Sequence, residues 1–218
     1  MVKLLLENPR NANINQQDNE GKTALIVASG SGHLDTARFL LDEGANIQQQ
    51  DNEGKTALIV ASGSGHTDTV RFLLDRGANI NQQDNEGKTA LIVASGSGHT
   101  DTVRFLLDRG ANINQQDNEG KTALIVASGS GHTDTVRFLL DRGANINQQD
   151  NEGKTALIIA SGSGHLHTVR LLLDVNRGAE IDRRDYEGKS ALISASASGH
   201  TDGSIFVEKR RQHKPTRQ

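Results

Sequence analysis

Apolar residues recur in a fixed order along most of this chain, in short clusters that polar and glycine-rich segments separate. The stretch 51–83 reads DNEGKTALIVASGSGHTDTVRFLLDRGANINQQ, and the same letters return at 84–116 and 117–149. A near copy precedes them at 18–50, and a looser one follows at 150–184. Because a unit this short buries its apolar face only against its neighbours, a fixed period of 33 residues predicts a solenoid.

The first apolar cluster of each unit predicts a short helix, which covers 57–62 in the second copy. Thr56 precedes this helix as its N-cap, and the Gly-Ser-Gly at 63–65 ends it, since glycine adopts the left-handed conformation that closes helices. Leu58 and Ala61 are three positions apart, so both are expected to face the core.

The second apolar cluster predicts a helix over about 67–76. Val70, Leu73 and Leu74 are expected to face the core from this helix, and Phe72 is expected to pack between repeats. The polar segment that follows ends in Asp-Asn-Glu-Gly, with Asp and Gly at the favoured first and last positions of a type I turn. A hairpin-like finger between units is therefore predicted.

The order D-x-x-G-x-T-x-L-x-x-A-x-x-x-G-H-x-x-x-V-x-x-L-L-x-x-G-A-x-I-N resembles the ankyrin repeat over nearly the whole chain. The resemblance implies an all-α repeat solenoid of stacked helix-turn-helix ankyrin units with hairpin-like finger loops. Residues 56–59 read Thr-Ala-Leu-Ile where ankyrins usually read T-P-L-H, and Thr67 and Thr69 stand where ankyrins usually have apolar residues. Both departures predict a weaker repeat.

The repeats divide the chain into four predicted parts. The half unit at 1–17 lacks a first helix and is expected to cap the N-terminal end, and five ankyrin repeats follow at 18–184. A degenerate repeat at 185–208 is expected to cap the other end. The segment 209–218 carries five basic residues and is expected to be a disordered tail.

Composition excludes several classes of function. With no Cys among 218 residues, the chain holds neither disulfides nor thiolate metal sites. No apolar run approaches the roughly 18 residues that a membrane span needs, so no membrane association is expected. The net charge of −3 combines an acidic array with the basic tail, and nucleic acid needs a basic footprint. We expect a monomeric cytoplasmic protein that binds no nucleic acid, and the tail leaves nuclear entry open.

Three motifs of the repeat imitate the chemistry of active sites. Glu-Gly-Lys-Thr ends like a phosphate-binding loop but lacks the glycine five residues before Gly54. Ser64, His66 and Asp68 are the residue types of a hydrolase triad, yet they recur in four repeats along one loop, which favours architecture over catalysis. One histidine per unit lies too far from the next to share a zinc ion, and the family's Gly-His pair implies a structural hydrogen bond. We therefore predict no enzyme, no catalytic residue, no cofactor and no metal.

The resemblance implies that a partner protein binds the concave face, which finger tips and inner helices form. The matching positions are the Asn, Glu and Lys of each finger, the Gln before it and the Ser after the inner helix. In this chain they are Asn52, Glu53, Lys55, Ser64, Gln83, Asn85, Glu86, Lys88, Ser97, Gln116, Asn118, Glu119, Lys121, Ser130, Asn151, Glu152 and Lys154. Because these positions are invariant in the central repeats, the partner is expected to be extended or repetitive. Two alternatives stay open: a structural, consensus-like or designed solenoid with no native ligand, and contacts confined to the divergent ends.

Leu91→Ala in a central repeat tests the core assignment. Because Leu91 is predicted to be buried, its truncation leaves a cavity and should lower the free energy of unfolding by about 2 to 5 kcal/mol. Urea denaturation followed by circular dichroism measures the loss. A folded variant that loses less than about 1 kcal/mol would contradict the assignment.

Overall fold

The computed structural model describes residues 12–200, which form eleven short helices stacked along one axis. The helices are α1 Ala24–Gly30, α2 Leu34–Asp42, α3 Ala57–Gly63, α4 Thr67–Asp75, α5 Ala90–Gly96, α6 Thr100–Asp108, α7 Ala123–Gly129, α8 Thr133–Asp141, α9 Ala156–Gly162, α10 Leu166–Leu172 and α11 Ala191–Ala197. None of these helices is long and apolar enough to cross a membrane. The odd-numbered helices are the inner helices and the even-numbered ones the outer helices, so the predicted all-α repeat solenoid is confirmed.

Local capping sets the helix bounds, which agree with the predicted ones to within one residue. The Thr56 hydroxyl accepts a hydrogen bond from the Ile59 amide at 3.4 Å, as an N-cap does. The inner helix continues one residue past its predicted end, to Gly63, and the outer helix stops one residue early, at Asp75. Gly65 then takes a φ of +76°, which turns the chain between the two helices.

From α1 to α7, each inner helix approaches the next so closely that its last position favours glycine. A Cβ added to Gly63 would lie 2.7 Å from Cγ1 of Val93, and one added to Gly96 would lie 2.7 Å from Cγ1 of Val126. Both distances are shorter than a real Cβ tolerates. The inner helices pack more closely than the outer helices do, so the inner side of the stack is the concave side.

The predicted core residues all belong to one apolar cluster or pack against it. Leu58, Ala61, Val70 and Leu73 are each 1% exposed or less, and they belong to one continuous apolar cluster. Leu74 is only half-buried at the edge of that cluster. Leu74 packs against the cluster from its edge, next along the helix to the fully buried Leu73.

The threonines of the outer helices pair with one another between repeats. The Thr67 hydroxyl lies 2.7 Å from that of Thr102, and the Thr100 hydroxyl lies 2.7 Å from that of Thr135. Thr69 is buried, so polar side chains enter the core at this level. In each pair one hydroxyl donates a hydrogen bond to the other.

Several predicted features lie outside the described residues. These are the N-terminal half unit as far as residue 11, the second helix of the last repeat and the basic tail. The first helix of the last repeat is present as α11, which begins at Ala191 with Ser190 as its N-cap. Leu192 and Ile193 of α11 are about half exposed, whereas the equivalent Leu and Ile of the other inner helices are buried.

Gly96→Ala and Gly162→Ala form a matched pair that tests the close helix contact. The added methyl group at 96 overlaps Val126, so Gly96→Ala should lower the free energy of unfolding by about 1 to 3 kcal/mol. At 162 a Cβ would lie 3.7 Å from Ser194, an ordinary contact. Gly162→Ala should therefore raise stability by about 0.5 to 1 kcal/mol, because alanine favours the helix. Equal effects of the two changes in urea denaturation would refute this reading of the contact.

Candidate interaction surface

Each finger is a tight turn held together by one aspartate, which is buried in every described finger except the first. In the third finger, Oδ1 of Asp84 accepts hydrogen bonds from the amides of Glu86 at 2.9 Å and Lys88 at 2.8 Å. The Gly87 amide donates to the Asp84 carbonyl at 3.0 Å, which confirms the predicted turn with Asp first and Gly last. Gly87 has a φ of +77°, a conformation that favours glycine. The finger tip is therefore ordered before any partner binds.

Adjacent fingers are joined by two hydrogen bonds from each asparagine. The Asn85 amide donates to the Glu53 carbonyl at 3.0 Å, and its side chain donates to the Asn52 carbonyl at 3.0 Å. Asn118 and Asn151 repeat both bonds to the finger before them. The asparagines that were predicted to contact a partner therefore also tie the fingers into one ladder.

The Glu and Lys of each finger form an exposed ion pair within that finger. Lys55 pairs with Glu53, and Lys88 pairs with Glu86. The remaining pairs are Lys22 with Glu20, Lys121 with Glu119, Lys154 with Glu152 and Lys189 with Glu187. The glutamate side chains are about two-thirds exposed and the lysines about two-fifths, so each pair contributes at most about 1 kcal/mol to stability.

Pairing moves the pKa of both partners. The hydrogen bond from Lys88 lowers the pKa of the Glu86 carboxyl, and the hydrogen bond to Glu86 raises the pKa of the Lys88 ammonium. The pKa of Glu53 is lowered by Lys55 in the same way. The Glu53–Lys55 and Glu86–Lys88 pairs therefore keep both charges over a wider pH range than isolated side chains would.

The glutamines at the base of the fingers serve the same ladder. The side-chain amide of Gln83 donates to the Gly87 carbonyl at 2.5 Å and to the Gln116 carbonyl at 3.2 Å. One repeat later, the side-chain amide of Gln116 donates in the same way to the carbonyls of Gly120 and Gln149. Their side chains are half-buried, so they present less surface to a partner than the sequence pattern alone implies.

The predicted serines lie in a separate row. Ser64, Ser97 and Ser130 are exposed C-caps of inner helices, at the end opposite the fingers. A helix of seven residues is about 10 Å long. The structure therefore does not gather the predicted residues into one cluster: it arranges them as two parallel rows along the concave face, with the inner helices between them.

At one junction, residues of both rows line a depression that the sequence analysis missed. A depression of about 300 Å³ opens between α9 and α11, and its lining includes Lys154, Ser163, Asp185, Lys189 and Ser194. It opens because Ser194 stands where the other inner helices carry Val or Ile, whose methyl groups fill the space. The break in that apolar column was the available signal.

The histidine column is structural, as the Gly-His pair implied. Nε2 of His99 lies 3.1 Å from the Gly63 carbonyl of the preceding repeat, and His132 lies 3.0 Å from that of Gly96. His165 makes the equivalent contact. Within residues 12–200, no three His, Asp or Glu side chains are grouped closely enough to hold a metal ion.

A family model of three ankyrin repeats matches the chain at residues 1–84, 79–150 and 144–207. The chain therefore belongs to the ankyrin-repeat family, which confirms the resemblance seen in the sequence. Ankyrin repeats are generally protein-interaction modules, and the family is generally not enzymatic. A search of curated proteins finds no match to the chain. Family membership thus supplies the class of function and leaves the partner to be found.

Lys88→Met tests the ion pair at a finger tip. Because the Lys88 hydrogen bond lowers the pKa of Glu86, its loss should raise that pKa toward the ordinary value of a glutamate. The carboxyl ¹³C shift of Glu86, followed from acid to neutral pH, measures the change. In the wild type, the stability from this pair is present above the ordinary pKa and is lost as pH falls through the lowered one.

Lys121→Met is the control, since Lys121 pairs with Glu119 and not with Glu86. It should leave the Glu86 titration unchanged. If Lys88→Met also leaves the titration unchanged at low salt, the pair does not form in solution.

Proposed function

We propose that this array binds a partner protein through its concave face. The observation that carries the proposal is an ordered ladder of fingers whose tips remain exposed. The side chains of Glu53, Glu86 and Glu119 are 71%, 70% and 69% exposed, although their backbones are fixed by hydrogen bonds to the next finger. Binding to such a surface costs little conformational entropy, because the fingers are already ordered.

The partner is expected to be an extended or repetitive protein segment. Neighbouring packed helices lie about 8 to 10 Å apart, so the ladder offers the same Asn, Glu and Lys at that interval. A partner with complementary polar groups at a matching interval contacts several fingers at once. In this proposal the array acts as a monomeric, non-enzymatic scaffold. It works in the cytoplasm, or in the nucleus if the basic tail directs import. Its partner is neither nucleic acid nor membrane.

A second candidate function is a structural, consensus-like solenoid without a native ligand. The observation that favours it is the mutual pairing of the ladder side chains. Lys55 is paired with Glu53, and the amides of Asn85 and Gln83 already donate to carbonyls of their own and neighbouring fingers. A partner must either replace these contacts or add to them, whereas a spacer leaves them intact.

Affinity capture with a variant that lacks three finger ion pairs, called the finger variant, separates the two candidate functions. The variant replaces three finger pairs by alanine: Glu53, Lys55, Glu86, Lys88, Glu119 and Lys121. A control variant replaces three ion pairs between outer helices: Asp42 with Arg76, Asp75 with Arg109 and Asp108 with Arg142. Both lose six charged side chains and keep the net charge, and both are compared with the wild type by helicity before capture.

A protein that the wild type and the control retain, and that the finger variant loses, would support binding at the concave ladder. Titration of that purified protein against the three arrays should then show at least a tenfold weaker Kd for the finger variant, about 1.4 kcal/mol. Equal retention by all three arrays would move binding to the divergent ends. No retention by any of them would favour the spacer.

A further inference from the structure

Phenylalanine rings on the outer helices lie between pairs of arginine guanidinium groups. The Phe72 ring has Arg38 and Arg76 each 4.7 Å from its centroid. Phe105 and Phe138 repeat this arrangement, with the guanidinium carbons of their flanking arginines 4.3 to 4.7 Å away. These distances are those of cation–π contacts. One arginine of each pair comes from the preceding repeat, so the stack bridges repeats.

The stack is interrupted at the next junction. Leu171 occupies the position of Phe72 and Phe138, so Arg137 has no ring to cover. Arg71 and Arg104, at the equivalent positions of two earlier repeats, each lie over the ring of the following repeat. Within residues 12–200, the Arg137 guanidinium has no hydrogen bond, ion pair or ring contact. Its planar face is therefore available to a ligand.

A groove marks the missing ring. It encloses about 550 Å³ between α8 and α10, and it is lined by Thr133, Asp134, Arg137, His167, Arg170, Leu171 and Asp174. Leu171 is 8% exposed and supplies an apolar floor. His167 stands where the four other described outer helices carry Asp35, Asp68, Asp101 and Asp134. The groove therefore has one carboxylate fewer than the earlier junctions have.

We propose that this groove binds a tryptophan or tyrosine side chain of a partner protein, whose ring stacks on the Arg137 guanidinium. The bound ring lies against Leu171 and covers Arg137 as phenylalanine rings cover Arg38, Arg71 and Arg104 at three earlier junctions. Asp134 and Asp174 line the groove and accept a hydrogen bond from the indole N–H or phenol O–H, which a phenylalanine does not offer. The groove lies on outer helices, so this contact is separate from the concave face.

N-acetyl-L-tryptophanamide is the probe for this site, with the full chain as receptor. The chain contains no Trp, so the fluorescence and the aromatic proton signals of the indole belong to the probe alone. Saturation-transfer NMR should show weak, saturable binding of one equivalent. N-acetyl-L-phenylalaninamide should bind more weakly, and N-acetyl-L-leucinamide should bind weakest because it has no ring.

Two variants and one control locate the probe. Arg137→Ala should weaken binding by about two- to fivefold, the range of an exposed cation–π contact. Leu171→Phe restores the residue of the earlier repeats and should abolish binding, because its own ring would cover the Arg137 guanidinium. Arg104→Ala is the control, because Arg104 already covers Phe138, and it should leave the probe affinity unchanged.

The proposal is overturned if the wild type shows no saturable binding up to the solubility of the probe. It is also overturned if Arg137→Ala binds as well as the wild type, or if the leucine amide binds as tightly as the tryptophan amide. If Leu171→Phe does not fold, the comparison of Arg137→Ala with Arg104→Ala decides alone. None of these outcomes depends on whether the finger ladder binds a partner.

Discussion

The close contact between a glycine of one inner helix and a branched side chain of the next governs this architecture. Where Gly63 meets Val93, no larger residue fits at the glycine position. The inner helices therefore approach closely enough for the Asn85 amide to reach the Glu53 carbonyl of the preceding finger. Helix packing and finger hydrogen bonding thus depend on the same spacing, and the ordered concave ladder follows from it.

Regularity and its exceptions have different consequences in this molecule. The regular junctions produce two rows of identical polar groups, which suit a partner that is itself regular. Two exceptions lie in the C-terminal half: Leu171 interrupts the arginine–phenylalanine stack on the outer helices, and Ser194 opens a depression on the inner ones. These two positions face different sides of the array. Selective contacts are most easily made at such positions, because the surface there differs from that of the neighbouring repeats.

Most of the fold was predictable because its signals are local. Thr56 caps the inner helix, and Gly65 turns the chain after it. Both signals lie next to the helix in the sequence, so the predicted helix bounds were correct to within one residue. Leu74 packs against the core as predicted, but only at its edge, where it is half-buried. The predicted site residues lie at finger tips and helix ends, and their role in binding stays a prediction.

The pairing of the site residues was not predictable. Whether Lys55 pairs within its own finger, or Asn85 with the preceding one, depends on the rise and rotation between repeats. No short sequence pattern encodes those quantities. The stack of Arg71 on Phe105 and the groove beside Arg137 depend on them as well.

The junctions also constrain how such a gene can change. Because the contact of Gly63 with Val93 is the same as that of Gly96 with Val126, recombination that removes or adds one whole unit leaves complementary neighbours on both sides. A point mutation at Gly96 instead creates an overlap with Val126, thirty residues away, which a second change at Val126 would relieve. Gain or loss of a whole unit therefore disturbs the array less than a single change at one of these junctions.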